Sequence, residues 1–159
     1  MAPRARAYDA VIAAPFGRLG VRTHNDRLVD IDFVSARMPI QSPRSVFARR
    51  VCRELRAYFA DGRHVIRLPL YLQGSEHQRR VWRALTRIPS GAVRSYGEIA
   101  KRLRSSARAV GGACRRNPIP IVVPCHRVVG KSGLGGFMGR QTGASLGIKR
   151  WLLAHERRR

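Results

Sequence analysis

Acid is scarce in this chain. Nine Asp and Glu stand against 32 Lys and Arg, a net charge of +23. Such an excess repels itself unless a polyanion is nearby, which makes nucleic acid the first partner to consider and an anionic membrane surface the second. Lysine is also scarce, since nearly all the cations are Arg, whose planar fork suits phosphates and base faces. There are three cysteines, at 52, 114 and 125, and no CxxC pair. That argues against a disulfide framework and a cysteine-based zinc site, and fits a reducing, cytoplasmic setting. His24, His64 and Cys52 are the only His and Cys of the first half, so no metal is expected there. No apolar run approaches the roughly 20 residues that span a bilayer, and none follows Arg4 and Arg6, so neither a membrane span nor a secretory leader is expected.

What is present is enough for a core: 44% of the residues are hydrophobic, which excludes global disorder. The charge is uneven. Residues 1–73 carry 13 basic and 6 acidic residues, a net of +7, and residues 74–159 carry 19 and 3, a net of +16. The second half is where a phosphate backbone would be met; a compositional bias toward Arg is the plainer alternative for the first.

The first half reads as a β-meander followed by a helix. Tyr8 to Ala13, Leu19 to Thr23 and Leu28 to Phe33 are the strands, with turns at Pro15–Gly17 and Asn25-Asp26. Phe47, Val51, Leu55 and Tyr58 recur at helical spacing, and Asp61-Gly62 ends the helix. Cys52 lies beside that seam as a small core residue. Val65 to Leu72 contains Pro69 and reads as an edge strand or extended linker.

The second half opens with a capping box, Ser75-x-x-Gln78, before a helix whose buried stripe is Val81, Leu85 and Ile88, with Trp82 at its edge. Ser95-x-x-Glu98 opens a short helix, and the turn Arg104–Ser106 leads to another over Ala107 to Cys114. Two short helices and a tight turn in so basic a context suggest a helix-turn-helix. Ala107, Ala109, Gly111, Gly112 and Ala113 make the second helix almost all small, which fits close helix packing and close approach to a flat ligand equally well. Ile119 to Val123 is a β-branched run that predicts a buried strand. Gly130 to Gly143 predicts a loop, and Ser145 a cap for a last helix with Ile148, Trp151, Leu152 and His155 as its apolar positions.

Pro124-Cys125-His126-Arg127 combines a thiol with an imidazole. The thiolate is the reactive form of cysteine and needs a base to take its proton. Glu156, one of three acids in the second half, could orient such a base. On chemistry alone a core cysteine and a surface ion pair fit these residues as well as a nucleophile does.

The segment 124–129, Pro-Cys-His-Arg-Val-Val, resembles the active-site motif of the O6-alkylguanine-DNA alkyltransferases, the methylated-DNA–protein-cysteine methyltransferases. The resemblance continues in Ile88-Pro89-x-Gly91, Arg94 to Ala100, Ala107 to Ala113, Asn117 to Ile121 and Lys149 to Glu156, in family order over about half the chain. The first half matches in outline only, through Pro15-Phe16-Gly17 and its strands.

The resemblance implies two domains: residues 1–73 as an α/β, RNase H-like structural domain and residues 74–159 as a mainly α winged helix-turn-helix that binds DNA and carries the chemistry. It implies a DNA-repair enzyme without cofactor or metal, working as a monomer on duplex DNA that holds O6-alkylguanine. Cys125 would accept the alkyl group from O6 of a flipped-out guanine, or O4 of thymine, once and irreversibly. His126 would act as base through a water, with Glu156 holding it. Asn117 would brace the turn, and Tyr96 would donate to the guanine. Arg108 would fill the gap in the duplex, with Ala107, Ala109, Gly111, Gly112 and Arg115 also on the DNA. Pro120, Val128, Met138 and Gly139 would shape the pocket, the Cys125 and Val128 backbone reading the base. Gly135 to Arg140 departs from the family loop, with Met138 near the usual aromatic and about four extra residues before the last helix. A tighter mouth that favours methyl over bulky adducts is expected.

Three other readings predict different chemistry. Relatives that bind damaged DNA without repairing it lack the cysteine that stands here at 125. A helix-turn-helix regulator needs no Cys-His pair, and a Cys–His hydrolase turns over and has no use for the charge of residues 74–159.

Overall fold

The computed structural model describes residues 7–138 and 144–158. The chain divides between Gln73 and Gly74 into two compact units.

Unit 1 is a three-stranded antiparallel sheet and one helix. Strands β1 (Ala10–Ala14), β2 (Gly17–His24) and β3 (Arg27–Val34) lie in sequence order. Asn25 and Asp26 both have positive φ, 48° and 57°, the backbone of a two-residue hairpin turn whose twist matches the flanking strands. Helix α1 (Val46–Ala60) is capped by Ser45, whose hydroxyl accepts from the Ala48 amide. It buries Phe47, Val51, Cys52, Leu55 and Tyr58 and packs on β1 and β2, whose Val11, Ile12, Leu19 and Val21 are buried. Cys52 is fully buried. The segment 65–72 is extended and bridges to β3 only at Leu28 and Leu70. The sequence pattern gave no sign of a buried ionic cluster here: Arg22 donates to Asp30 at 2.9 Å and to Asp32 at 2.7 Å, under the ring of Tyr8.

Unit 2 is helical. Helix α2 (Glu76–Leu85) starts at the Ser75–Gln78 capping box, with both halves formed. Ile88 is buried but lies beyond the end of that helix. Trp82 is no edge residue: it is 1% exposed, and its Nε1 donates to the Ala113 carbonyl at 2.9 Å. That bond fastens α2 to the end of α4 and satisfies the indole, as a buried Trp requires.

Helices α3 (Tyr96–Leu103) and α4 (Ala107–Arg115) pack together. Arg104 closes α3 with φ 55°, and the hydroxyl of Ser106 caps α4. Strands β4 (Arg94–Ser95) and β5 (Val128–Val129) form a short parallel pair. The last helix, α5 (Ala144–Arg157), already includes Ser145, so that residue is within the helix and not its cap. Its buried face is Leu146, Lys149, Leu152, Leu153, His155 and Glu156, with Ile148 and Trp151 half-buried. The whole is a mixed α/β chain with two small sheets and five α-helices among the described residues.

Candidate active site

The β-branched run at 119–123 is not a strand. It is a buried tight turn. Asn117 explains the difference: its amide donates to Val123 O at 2.8 Å while its Oδ1 accepts from Ile119 N at 3.0 Å. One side chain thus supplies the bonds that a neighbouring strand would have supplied, and Pro118 and Pro120 have no amide to offer a ladder. Ile121 sits at φ 75°, a region that β-branched residues avoid at a cost of roughly 1–3 kcal/mol. The turn hands the chain to a 3-10 turn, Cys125–Arg127, and then to β5.

Within that 3-10 turn Cys125 is 4% exposed and His126 is fully buried. His126 Nε2 lies 2.7 Å from Glu156 Oε2. Hydrogen bonds from Arg127 and His126 hold the Glu156 carboxyl well down, at about 2, against the opposing effect of burial, so the carboxylate is ionised and accepts. The bond therefore requires a proton on Nε2 and leaves the lone pair on Nδ1. Burial, more than Glu156 can offset, lowers the imidazole pKa and keeps the ring neutral. His126 Nδ1 is buried without a hydrogen-bond partner among the described residues. A neutral imidazole, oriented at one nitrogen and open at the other, is what a general base needs. Burial pushes the Cys125 thiol up, and the Asn117 amide and Lys149 pull it the other way. The resting residue is thus a thiol whose proton needs an acceptor.

Cys125 opens onto a cavity of about 380 Å³. One face of α4 forms a wall, with Ala107, Gly111, Cys114 and Arg115 at helical spacing and Arg108 beside them. Tyr96 and the loop 135–138 complete it. A Cβ on Gly135 would come 2.9 Å from the Tyr96 ring, and its φ is +73°, so only glycine fits there. A Cβ on Gly111 or Gly112 would meet nothing within 4 Å. Packing against the rest of the described chain therefore does not require those two positions to be small. Burial raises the Tyr96 phenol to about 12, so it stays protonated; its hydroxyl donates to Gly136 O over a long 3.5 Å.

Of the residues expected from sequence, Cys125, Tyr96, Ala107, Arg108, Gly111, Arg115 and Met138 meet at this cavity. Asn117, His126 and Glu156 stand behind it, buried. Ala109 is exposed on α4, and neither it nor Gly112 is among the described lining residues. Pro120 and Val128 are buried and likewise outside that lining. Gly139 lies outside the described residues. Cys114 is buried yet faces the cavity, and burial raises its thiol pKa strongly. Sequence reasoning also missed Lys149. It is fully buried and donates to Val128 O and Gly136 O at 2.7 Å each. Burial lowers its pKa to about 8. The signal was available, because Lys149 interrupts the stripe of Leu146, Leu153 and Glu156 at helical spacing.

Unit 2 thus combines two short packed helices, exposed arginines and a pocket-facing cysteine backed by an oriented imidazole. Comparison with known proteins agrees. The family described as 6-O-methylguanine DNA methyltransferase, DNA binding domain, matches residues 76–158. The methylated-DNA–protein-cysteine methyltransferase of Methanosarcina acetivorans is 39% identical over 157 residues, covering 94% of this chain and 97% of that one. That of Archaeoglobus fulgidus is 51% identical over 85 residues, 54% of this chain and 58% of that one. Among solved structures, the O6-methylguanine methyltransferase of Mycobacterium tuberculosis has a TM-score of 0.78 at 36% identity, covering 92% of this chain and 90% of that one. The M. tuberculosis protein is also known in complex with DNA, in a structure of TM-score 0.76 to this chain. The chain belongs to the methylated-DNA–protein-cysteine methyltransferase family.

Proposed function

We propose that this protein repairs DNA by direct reversal, moving a methyl or other alkyl group from O6 of guanine, and from O4 of thymine, onto Cys125. The observation that carries the reading is a pocket-facing thiol next to a neutral imidazole whose other nitrogen is tied to an ionised carboxylate. The base must leave the stack to reach that pocket, at a cost of a few kcal/mol. Arg108, exposed at the start of α4, fills the gap. Ala107, Ala109, Gly111 and Gly112 let α4 lie against the minor groove, and Arg115 meets the backbone.

In the transfer, His126 Nδ1 takes the Cys125 proton through a bridging water. The sulfur then forms a bond to the alkyl carbon as the bond from that carbon to O6 breaks. The electron pair goes to the purine, and Tyr96 donates to the departing base. The proton ends on guanine, and the thioether stays on the protein. No group in the site hydrolyses a thioether, so each molecule acts once.

In this reading unit 1 is an RNase H-like structural domain and unit 2 a winged helix-turn-helix. Pro120, Val128, Met138 and Gly139 shape or back the pocket, and the protein works as a monomer on DNA in the cytoplasm. Intact mass after mixing with a duplex containing one O6-methylguanine tests the whole. A gain of one methyl, about 14 Da, on the Cys125 peptide and saturating at one per chain is the expected result. A duplex bound with no mass gain would replace repair by damage sensing.

A further inference from the structure

Arg127 follows the thiol and its base in sequence. Its guanidinium makes three hydrogen bonds at once. Nε donates to Glu156 Oε1 and Nη2 donates to Glu156 Oε2, each at 2.9 Å. Nη1 donates to Ile88 O at 2.6 Å, just beyond α2. Glu156 Oε2 is therefore shared between Arg127 and His126 Nε2. The Glu156 side chain is fully buried and that of Arg127 is 12% exposed, so the two-point fork is shielded from water and strong.

We infer that Arg127 is a positioning residue of the transfer: by holding both oxygens of Glu156 it fixes the plane in which that carboxylate receives His126 Nε2–H, and it prevents the carboxylate from taking the proton of that nitrogen. The inference rests on the alkyltransferase reading above. A carboxylate with a free oxygen can rotate or be protonated, and the fork blocks both. When the Cys125 proton reaches Nδ1, the imidazolium keeps it until the purine takes it, while Glu156 remains its anion.

Among the described residues, the charged groups that act on His126 are Glu156 and Lys149 on α5 and Arg127 in its own turn. Burial acts first to lower the imidazole, Glu156 raises it, and Arg127 and Lys149 lower it further. Arg127 therefore tempers the pull of Glu156, and without its charge the imidazole becomes more basic. An imidazole that is protonated at higher pH cannot accept from Cys125 there, so the acid limb of the rate must rise.

The test is the single-turnover methyl-transfer rate from an O6-methylguanine duplex, followed from about pH 5 to about pH 9 across the histidine range. Arg127→Gln in the full chain should move the acid limb up by about one pH unit, making transfer on that limb about tenfold slower. A purely structural role would lower the rate at every pH and leave the limb in place; that result overturns the inference. Arg127→Lys keeps the charge but not the fork. It should hold the limb at its wild-type position with slower transfer, and transfer at the wild-type rate would also overturn the inference. If the Gln variant does not fold, Arg127→Met, which also removes the charge, is read for the same upward shift of the limb, and an unmoved limb overturns the inference. A wild-type protein that transfers no methyl group would sink the alkyltransferase reading instead.

Discussion

The ammonium of Lys149 donates to the carbonyl oxygen of Gly136 at 2.7 Å, so a buried cation on the last helix fastens the loop that closes the pocket. Its second bond, to Val128 O, ties the same helix to the strand that follows the cysteine motif. Lys149→Ala would leave two carbonyls without their donor, a loss of about 1–3 kcal/mol. Thermal unfolding should show that loss, and methyl transfer should slow as the loop loosens. Unchanged stability would mean that the two carbonyls find other donors.

Asn117 holds a turn that its own sequence opposes. Asn117→Ala removes both bonds that keep Ile121 at positive φ, and about 2–4 kcal/mol of stability should go with them. Denaturant unfolding reads this directly. A loss below about 0.5 kcal/mol would mean that the turn is set by its prolines alone.

Glu156 sets an acid limit on the fold. Its pKa is lowered from 4.5 to about 2 in the folded chain. The stabilisation it provides is therefore complete above pH 4.5 and is lost as pH falls toward 2. Wild-type stability should drop across that window, while Glu156→Gln, less stable at neutral pH, should show a flatter profile there. Parallel profiles would show that the carboxylate is not the group titrating.

Arg108 should separate DNA handling from chemistry. It is exposed at the start of α4, apart from the relay. Arg108→Ala should cost about 1–3 kcal/mol of duplex affinity and slow repair in duplex DNA, yet leave the reaction with a free O6-alkylguanine base unchanged. Equal losses on both substrates would mean that Arg108 acts on the base in the pocket rather than on the duplex.

The pocket loop carries Phe137 and Met138 at the cavity, and Met138 itself has φ 52°. A loop that narrows the mouth should make inactivation by a methyl substrate faster than by a benzyl one. Equal rates would remove the loop as a selectivity element.

Much of this protein can be read from its residues in order. Periodicity and caps are local properties, so the three strands, the Asn25-Asp26 turn, the Ser75 capping box and the paired helices α3 and α4 follow from short stretches. Chemical type alone made Cys125, His126 and a distant Glu156 candidates, and the family resemblance of the motif around them named them as a relay. What the residues could not decide was set by contacts between distant segments. Ile119 to Val123 has strand propensity but no partner strand, and Asn117 bends it into a turn. Arg127 looks like an ordinary surface cation until a carbonyl and a carboxylate from other elements surround it, and Lys149, marked in the sequence only by its place in the buried stripe, is met by two carbonyls. Gly111 and Gly112 could have served packing or approach, and only the empty space above them shows that packing does not require them. The sequence determined which chemical groups exist and which local elements form. Tertiary structure alone determined which groups lose their water, and burial is what neutralises His126, holds Lys149 against two carbonyls and leaves Cys125 facing a pocket.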